Sequence, residues 1–190
     1  LAETFENPPG IGGDYKPLGK AKIIDHDGES IRLEAGSAIV EITSLAPNLF
    51  RVGMFPEGRT PDYASEAIAK EHWEPVDTEM REDDGLLTLS TSATTARITL
   101  NPLRVSFADP EGREFAADDG ALGMGVVEQP GTDIFSAPLG NPVRLYKSRE
   151  EGERYFGCGE RTSGLEKTGT YQVFWNVDPP AGHTTSFNNI

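Results

Sequence analysis

The chain of 190 residues holds a single cysteine, Cys158. An intrachain disulfide is therefore excluded, and no Cys-x-x-Cys or Cys/His spacing offers a structural metal site. Cysteine usage leans towards a cytoplasmic protein, although a removed signal peptide would leave no trace in a chain that starts at Leu1 rather than Met. Long apolar runs are missing too: nothing approaches the roughly 20 consecutive apolar residues of a membrane span. Basic residues are scarce, 17 Lys and Arg against 31 Asp and Glu, for a net charge of −14. Such a field repels nucleic acid and anionic membranes, so neither is an expected partner, whereas a neutral ligand such as a sugar meets no such barrier.

Familiar catalytic signatures are equally absent. The three histidines, His26, His72 and His183, are scattered, and no serine lies in a Gly-x-Ser-x-Gly elbow. Gly123-Met124-Gly125 and Gly157-Cys158-Gly159 lack the further glycines, the lysine and the helix of a phosphate loop, so tight backbone turns are expected there. Asp83-Asp84 and Asp118-Asp119 each precede a glycine; neighbouring carboxylates of this kind read as water-exposed turn formers rather than as a catalytic pair. No catalytic residue, metal ligand or cofactor site is assigned.

What is present is a succession of short alternating segments between turn signals. Ile31–Leu33, Ile39–Thr43, Leu49–Phe55, Leu86–Ser90, Thr95–Leu100 and Leu103–Phe107 each read as a strand with one buried face. Asp109-Pro110-Glu111-Gly112 is the clearest hairpin turn. Three further candidates are Val143–Lys147, Arg154–Gly157 and Tyr171–Trp175, with Gly120–Gly140 a long, weakly patterned connection. Tyr63–Trp73 could form one short helix between Pro61 and Pro75. At least eight strands with 14 Pro and 21 Gly, and no crossover helices, predict an all-β antiparallel sandwich. Residues 1–30, opening on a Pro- and Gly-rich stretch, read as an N-terminal arm and first-strand region; residues 31–190 read as the sandwich.

The stretch from Glu153 to Asp178 carries the functional signal. An aromatic segment meets Gly157-Cys158-Gly159-Glu160-Arg161, loops through Leu165-Glu166-Lys167-Thr168-Gly169, and returns as Thr170-Tyr171-Gln172-Val173-Phe174-Trp175-Asn176-Val177-Asp178. Pro179-Pro180 would stiffen the backbone just beyond Asp178. A carboxylate near Trp175 suits a sugar, the ring covering C–H faces while the oxygens accept hydroxyl hydrogen bonds. Plainer roles stand beside this one: Trp175 as core, Asp178 as a turn cap, Glu160 and Arg161 as a structural ion pair.

This stretch resembles the end of the N-terminal domain of family 31 glycoside hydrolases, in three elements: Tyr155 to Thr162, Leu165 to Gly169, and Trp175 to Asp178. Weaker similarities run upstream to about Ala38. The resemblance implies a galactose-mutarotase-like β-sandwich that packs against a catalytic (β/α)₈ barrel, with the present chain cut off before it. It implies a retaining enzyme of α-glucosidase type whose nucleophile and acid/base both lie on that barrel, so this chain alone would be inactive. By position Asp178 matches the family's substrate-binding aspartate, and oligosaccharides or α-glucosides would be the substrates. Pro179 and Pro180 depart from the polar residues many members carry there. A homo-oligomer is compatible with this reading, and a stand-alone carbohydrate-binding sandwich and a purely structural domain are the alternatives to it.

Overall fold

In the computed structural model the described residues are 14–58, 68–70, 72–128, 142–158 and 164–170. They divide between two compact units, Leu1–Ser148 and Arg149–Ile190. The first unit is built from antiparallel strands, with one 3₁₀ turn at Pro56–Gly58 and no α-helix among the described residues. Of the predicted helix, residues 63–67 and 71 lie outside the described set. Residues 68–70, 72 and 73 are not helical. Lys70 instead sets its ammonium 4.1 Å from the Trp73 ring centroid.

Two meanders form the main layers. β2 (Lys22–His26), β3 (Ser30–Ala35), β4 (Ala38–Ala46) and β5 (Leu49–Phe55) pair in that order. β6 (Glu79–Asp83), β7 (Leu86–Ser90), β8 (Thr95–Leu100), β9 (Leu103–Ala108) and the two-residue β10 (Glu114–Phe115) make a five-stranded sheet, also in chain order. A third sheet of order β1-β11-β12 joins Asp14–Pro17, Met124–Glu128 and Val143–Leu145.

The reason for sandwich packing is visible in the strand periodicity. Every second residue of β3 (Ile31, Leu33, Ala35) and of β4 (Ala38, Val40, Ile42) is buried, as are Leu87, Leu89, Ala96, Ile98, Leu103 and Val105 of the other meander. All belong to one apolar cluster. Burying each large aliphatic side chain contributes about 1.5–3 kcal/mol. The outward residues of β3 are polar, and charges pair across the strands there, as Glu41 of β4 does with Arg32 (3.7 Å) and with Arg51 of β5 (3.9 Å).

Turn chemistry sets the registers. Asp84 and Gly85 both have positive φ, 45° and 79°; that is the requirement of a two-residue hairpin whose twist matches its strands, and Asp-Gly meets it at low cost. The Asp109 to Gly112 turn closes with Gly112 N–H donating to Asp109 O at 2.9 Å.

Four strands lie where the sequence patterning is weak. β1 and β2 fall within residues 14–26, part of the region read as arm and first strand, and Leu18 and Ala21 between them are buried. β6 has one apolar inward residue, Met80, because it is an edge strand. β11 lies inside the stretch read as an unpatterned connection, and its Gly125 obscures the alternation. The predicted strand at 143–147 is shorter, β12 ending at Leu145 with an isolated bridge from Lys147 to Asp118. Arg154–Gly157 forms only an isolated bridge, Phe156 to Glu166. Tyr171–Trp175 lies outside the described residues.

The expectation for Asp118 is overturned within this unit. Asp118 is no water-exposed turn former: its side chain has no solvent exposure, and Oδ1 lies 2.8 Å from Lys147 Nζ. Its Oδ2 accepts from Val105 N–H at 2.8 Å, while its own N–H donates to Val105 O at 2.9 Å. Asp119, its neighbour, does form a turn, accepting from the N–H groups of Ala121 and Leu122. Beside them the Arg104 guanidinium donates to the carbonyls of Leu18, Leu103, Asp119, Gly120 and Ala121. It thereby ties the β1–β2 connection and the 119–121 turn to β9.

Candidate functional site

Asp178, the candidate substrate-binding residue, lies outside the described residues, together with Trp175, Asn176, Glu160 and Arg161. His183 does as well, while His26 and His72 are exposed and far from one another in sequence. Among the described residues no three His, Cys, Asp or Glu side chains gather as a metal site. What the structure does describe is the pair of segments that frame the motif, 149–158 and 164–170.

These segments run antiparallel. Lys167 N–H donates to Tyr155 O at 2.8 Å, and Tyr155 N–H donates to Thr168 Oγ1 at 2.9 Å. Phe156 stands opposite Glu166. Arg154 Nη2 lies 2.7 Å from Glu166 Oε2, and the same guanidinium lies 5.5 Å from the Phe156 ring centroid. The far segment closes on itself: Thr170 N–H and Oγ1–H both donate to Lys167 O, at 3.0 and 2.6 Å. Lys167 Nζ reaches back to Gly164 O.

Gly157 and Cys158 have φ of 100° and 70°. The sequence reading of a tight turn at this glycine pair therefore holds for its described half, with Cys158 in a region that side-chain-bearing residues seldom occupy. The pair at Gly123 and Gly125 behaves differently. Gly123 turns with φ 51°, but Gly125 is a strand residue whose missing Cβ admits the Tyr15 ring. That ring is fixed by donation from its hydroxyl to Leu122 O and Gly123 O. Burial pushes the Tyr15 hydroxyl up to about 12, so it stays a donor at ordinary pH.

Among the described residues Glu166 is the most perturbed carboxylate. The hydrogen bond from Arg154, followed by one from Thr168, holds it down to about 2. A carboxyl whose folded value lies below its ordinary 4.5 favours the folded form above that ordinary value. The contribution is lost as pH falls from about 4.5 towards about 2. Both side chains are solvent-accessible, so the pair is a geometric clip more than a source of stability. Titration of the Glu166 carboxyl by carbon-13 NMR is expected to give a midpoint well below the ordinary carboxylate range in the wild type. In Arg154→Ala it should move back towards that range; an unmoved midpoint would show that Arg154 is not the cause.

Sequence reasoning missed Asp118, Lys147, Arg104 and the buried Lys167 as structural residues. Asp118 and Lys147 meet across a tertiary contact, and no local spacing announces it. For Lys167 the motif itself was a signal, since it lies within Leu165 to Gly169.

Helix-poor antiparallel sheets sharing one core, followed by the paired motif segments, place the chain in the class of galactose-mutarotase-like β-sandwiches. Residues 39–190 match the Glycosyl hydrolase 31 N-terminal galactose mutarotase-like domain, and the chain belongs to that family. It is 28% identical over 166 residues to alpha-glucosidase 2 of Bacillus thermoamyloliquefaciens, covering 87% of this chain and 19% of that enzyme. A family 31 dextranase of Flavobacterium johnsoniae, solved with isomaltotriose, superposes with a TM-score of 0.73 at 16% identity, over 90% of this chain and 20% of the dextranase. The cycloalternan-forming enzyme of Listeria monocytogenes, solved with a pentasaccharide substrate, gives 0.62 at 15% identity, over 83% and 14%. The chain thus spans about a fifth or less of these relatives.

Proposed function

We propose that this chain is the non-catalytic N-terminal domain of a retaining enzyme of α-glucosidase type. It packs on the catalytic barrel of the same polypeptide and supplies a substrate-binding loop through Asp178. The observation that carries this reading is the family match from residue 39 to residue 190, which includes all three motif elements in order. In such an enzyme two carboxyl groups on the barrel perform the double displacement, one as nucleophile and one as acid then base. The sandwich domain contributes neither. Its part is to hold a carboxylate where sugar hydroxyls can donate to it, a charge-assisted contact that fixes the ring before the bond is attacked.

A hydrogen bond to a charged group contributes about 1.5–3 kcal/mol. Asp178→Ala in the full-length enzyme is therefore expected to lower kcat/KM for maltose by about 10- to 100-fold with unchanged thermal unfolding. Unchanged kinetics would remove Asp178 from the site. Calorimetry of the 190-residue chain with maltose addresses the carbohydrate-binding module: saturable binding by the chain alone would favour that reading, and its absence the accessory domain.

A further inference from the structure

Among the described residues each of the three sheets ends in two edge strands, and all of these but β5 carry a feature that discourages further pairing. β1 is four residues long and ends in Pro17, while β10 and β12 are only two and three residues long. In β6 every residue except Met80 is charged, and the register of β2 slips between Ile23 and Asp25. β5 has none of these. It runs for seven residues, Leu49-Phe50-Arg51-Val52-Gly53-Met54-Phe55, and pairs regularly with β4 from Phe50 to Phe55. Its one charge, Arg51, is already partnered by Glu41 at 3.9 Å. Phe50 and Met54 pack against the core, yet Val52, on the same side between them, is 39% exposed although its β4 neighbour Ile42 is fully buried. Phe50 also meets Phe107, which stacks on Phe115, itself 44% exposed, so uncovered apolar surface continues beyond β5.

The residue order of β5 selects what fits against this edge, because it is nearly palindromic about Val52. In an antiparallel pair with a two-fold axis at Val52, Leu49 faces Phe55 of the second copy, Phe50 faces Met54, Arg51 faces Gly53 and Val52 faces Val52. That axis is normal to the sheet, so the core-facing sides of both strands lie together, and every pair on that side is apolar. On the other side each arginine stands opposite a glycine, where the Phe55 ring fills the space that a side chain at Gly53 would take. The guanidinium therefore meets an aromatic ring rather than a like charge. We propose that β5 is the pairing edge for a second copy of this chain, joining two four-stranded sheets into one. This goes beyond the function proposed above and does not depend on the reaction catalysed. A seven-residue strand pair is small beside standard interfaces of about 1,200–2,000 Å², so the dimer dissociates on dilution.

Sedimentation velocity of the full-length gene product over a range of concentrations, together with mild oxidation of two cysteine variants, tests this. A monomer–dimer equilibrium is expected. Val52→Cys should give a disulfide-linked dimer, since residues facing one another across the axis have Cα atoms about 4.5–5.5 Å apart, within disulfide range. Leu49→Cys should behave as the wild type, because its counterpart in the second copy lies about 20 Å away along the strand. Val52→Lys sets two ammonium groups against one another and should raise the dissociation constant about tenfold or more. A monomer at every concentration would overturn the proposal. So would a dimer that Val52→Lys leaves intact, or one that cross-links no better through Val52→Cys than through Leu49→Cys, since either places the contact on another face or in another register.

Discussion

Gly125→Ala is expected to cost several kcal/mol, at or beyond the upper end of the roughly 1–3 kcal/mol typical of overpacking. A methyl group at position 125 would overlap the carbonyl oxygen of Lys16 and sit 2.6 Å from the Tyr15 ring. The first of these is backbone, and it cannot rotate aside. Relief requires β1 to move off β11, which breaks the Asp14–Pro17 to Gly125–Glu128 pairing and the Tyr15 hydrogen bonds to Leu122 and Gly123. The control is Gly19→Ala, where a Cβ would meet nothing within 4 Å. That change should be near neutral or stabilising, by at most about 1 kcal/mol, through the entropy of the unfolded chain. Urea unfolding of both variants checks the contrast. Equal midpoints for the two would show that the β1–β11 contact is not tight.

The second large effect is expected at Asp118. Removing one partner of a buried ion pair typically costs about 3–5 kcal/mol, because the other charge is stranded. Asp118→Ala should fall near the low end, since Lys147 is partly exposed, at 32%, and can regain water. The alanine variant also leaves Val105 N–H without its carboxylate acceptor. Asp118→Asn keeps an acceptor there and loses only the charge, so it should be milder by about 1 kcal/mol or more. The combined Asp118→Leu and Lys147→Met variant should recover most of the loss, as apolar replacements of buried pairs often do. Denaturant unfolding of the double variant beside the wild type and the single Asp118→Leu and Lys147→Met variants gives the coupling directly; additive losses would mean that the pair does not act as a unit.

The two aspartates at 118 and 119 show where sequence reasoning stops. Both precede Gly120, and both read as turn formers. Asp119 is one, because its acceptors are satisfied by backbone groups two and three residues on. Asp118 is not, because the chain brings Lys147 and Val105 to it from elsewhere. Strands divide in the same way. β5, β7 and β8 have the bounds that the alternation predicts, since apolar residues recur along their inward faces: Phe50 and Met54, Leu87 and Leu89, and Ala96, Ile98 and Leu100. β11 was illegible because Gly123 and Gly125 are set by the close approach of Arg104 and Tyr15, not by the local β pattern. The candidate site was legible only as a motif. Its framing segments are described, and the ion pair between Arg154 and Glu166 across them is a tertiary fact that a sequence separation of 12 conceals.

Periodicity and turn chemistry, which act over a few residues, were enough to determine an antiparallel, helix-poor sandwich from sequence alone. The ordered motif elements from Tyr155 to Asp178 were enough to indicate its family. Contacts between residues distant in sequence were decided only by the tertiary structure: the burial of Asp118, the five carbonyls gathered by Arg104, the Tyr15 ring over Gly125, and the exposure of Phe156 beside a buried Lys167. Each depends on which strands become neighbours. Strand neighbours are selected by the sum of many weak apolar contacts across the core, and no short window of sequence contains that sum.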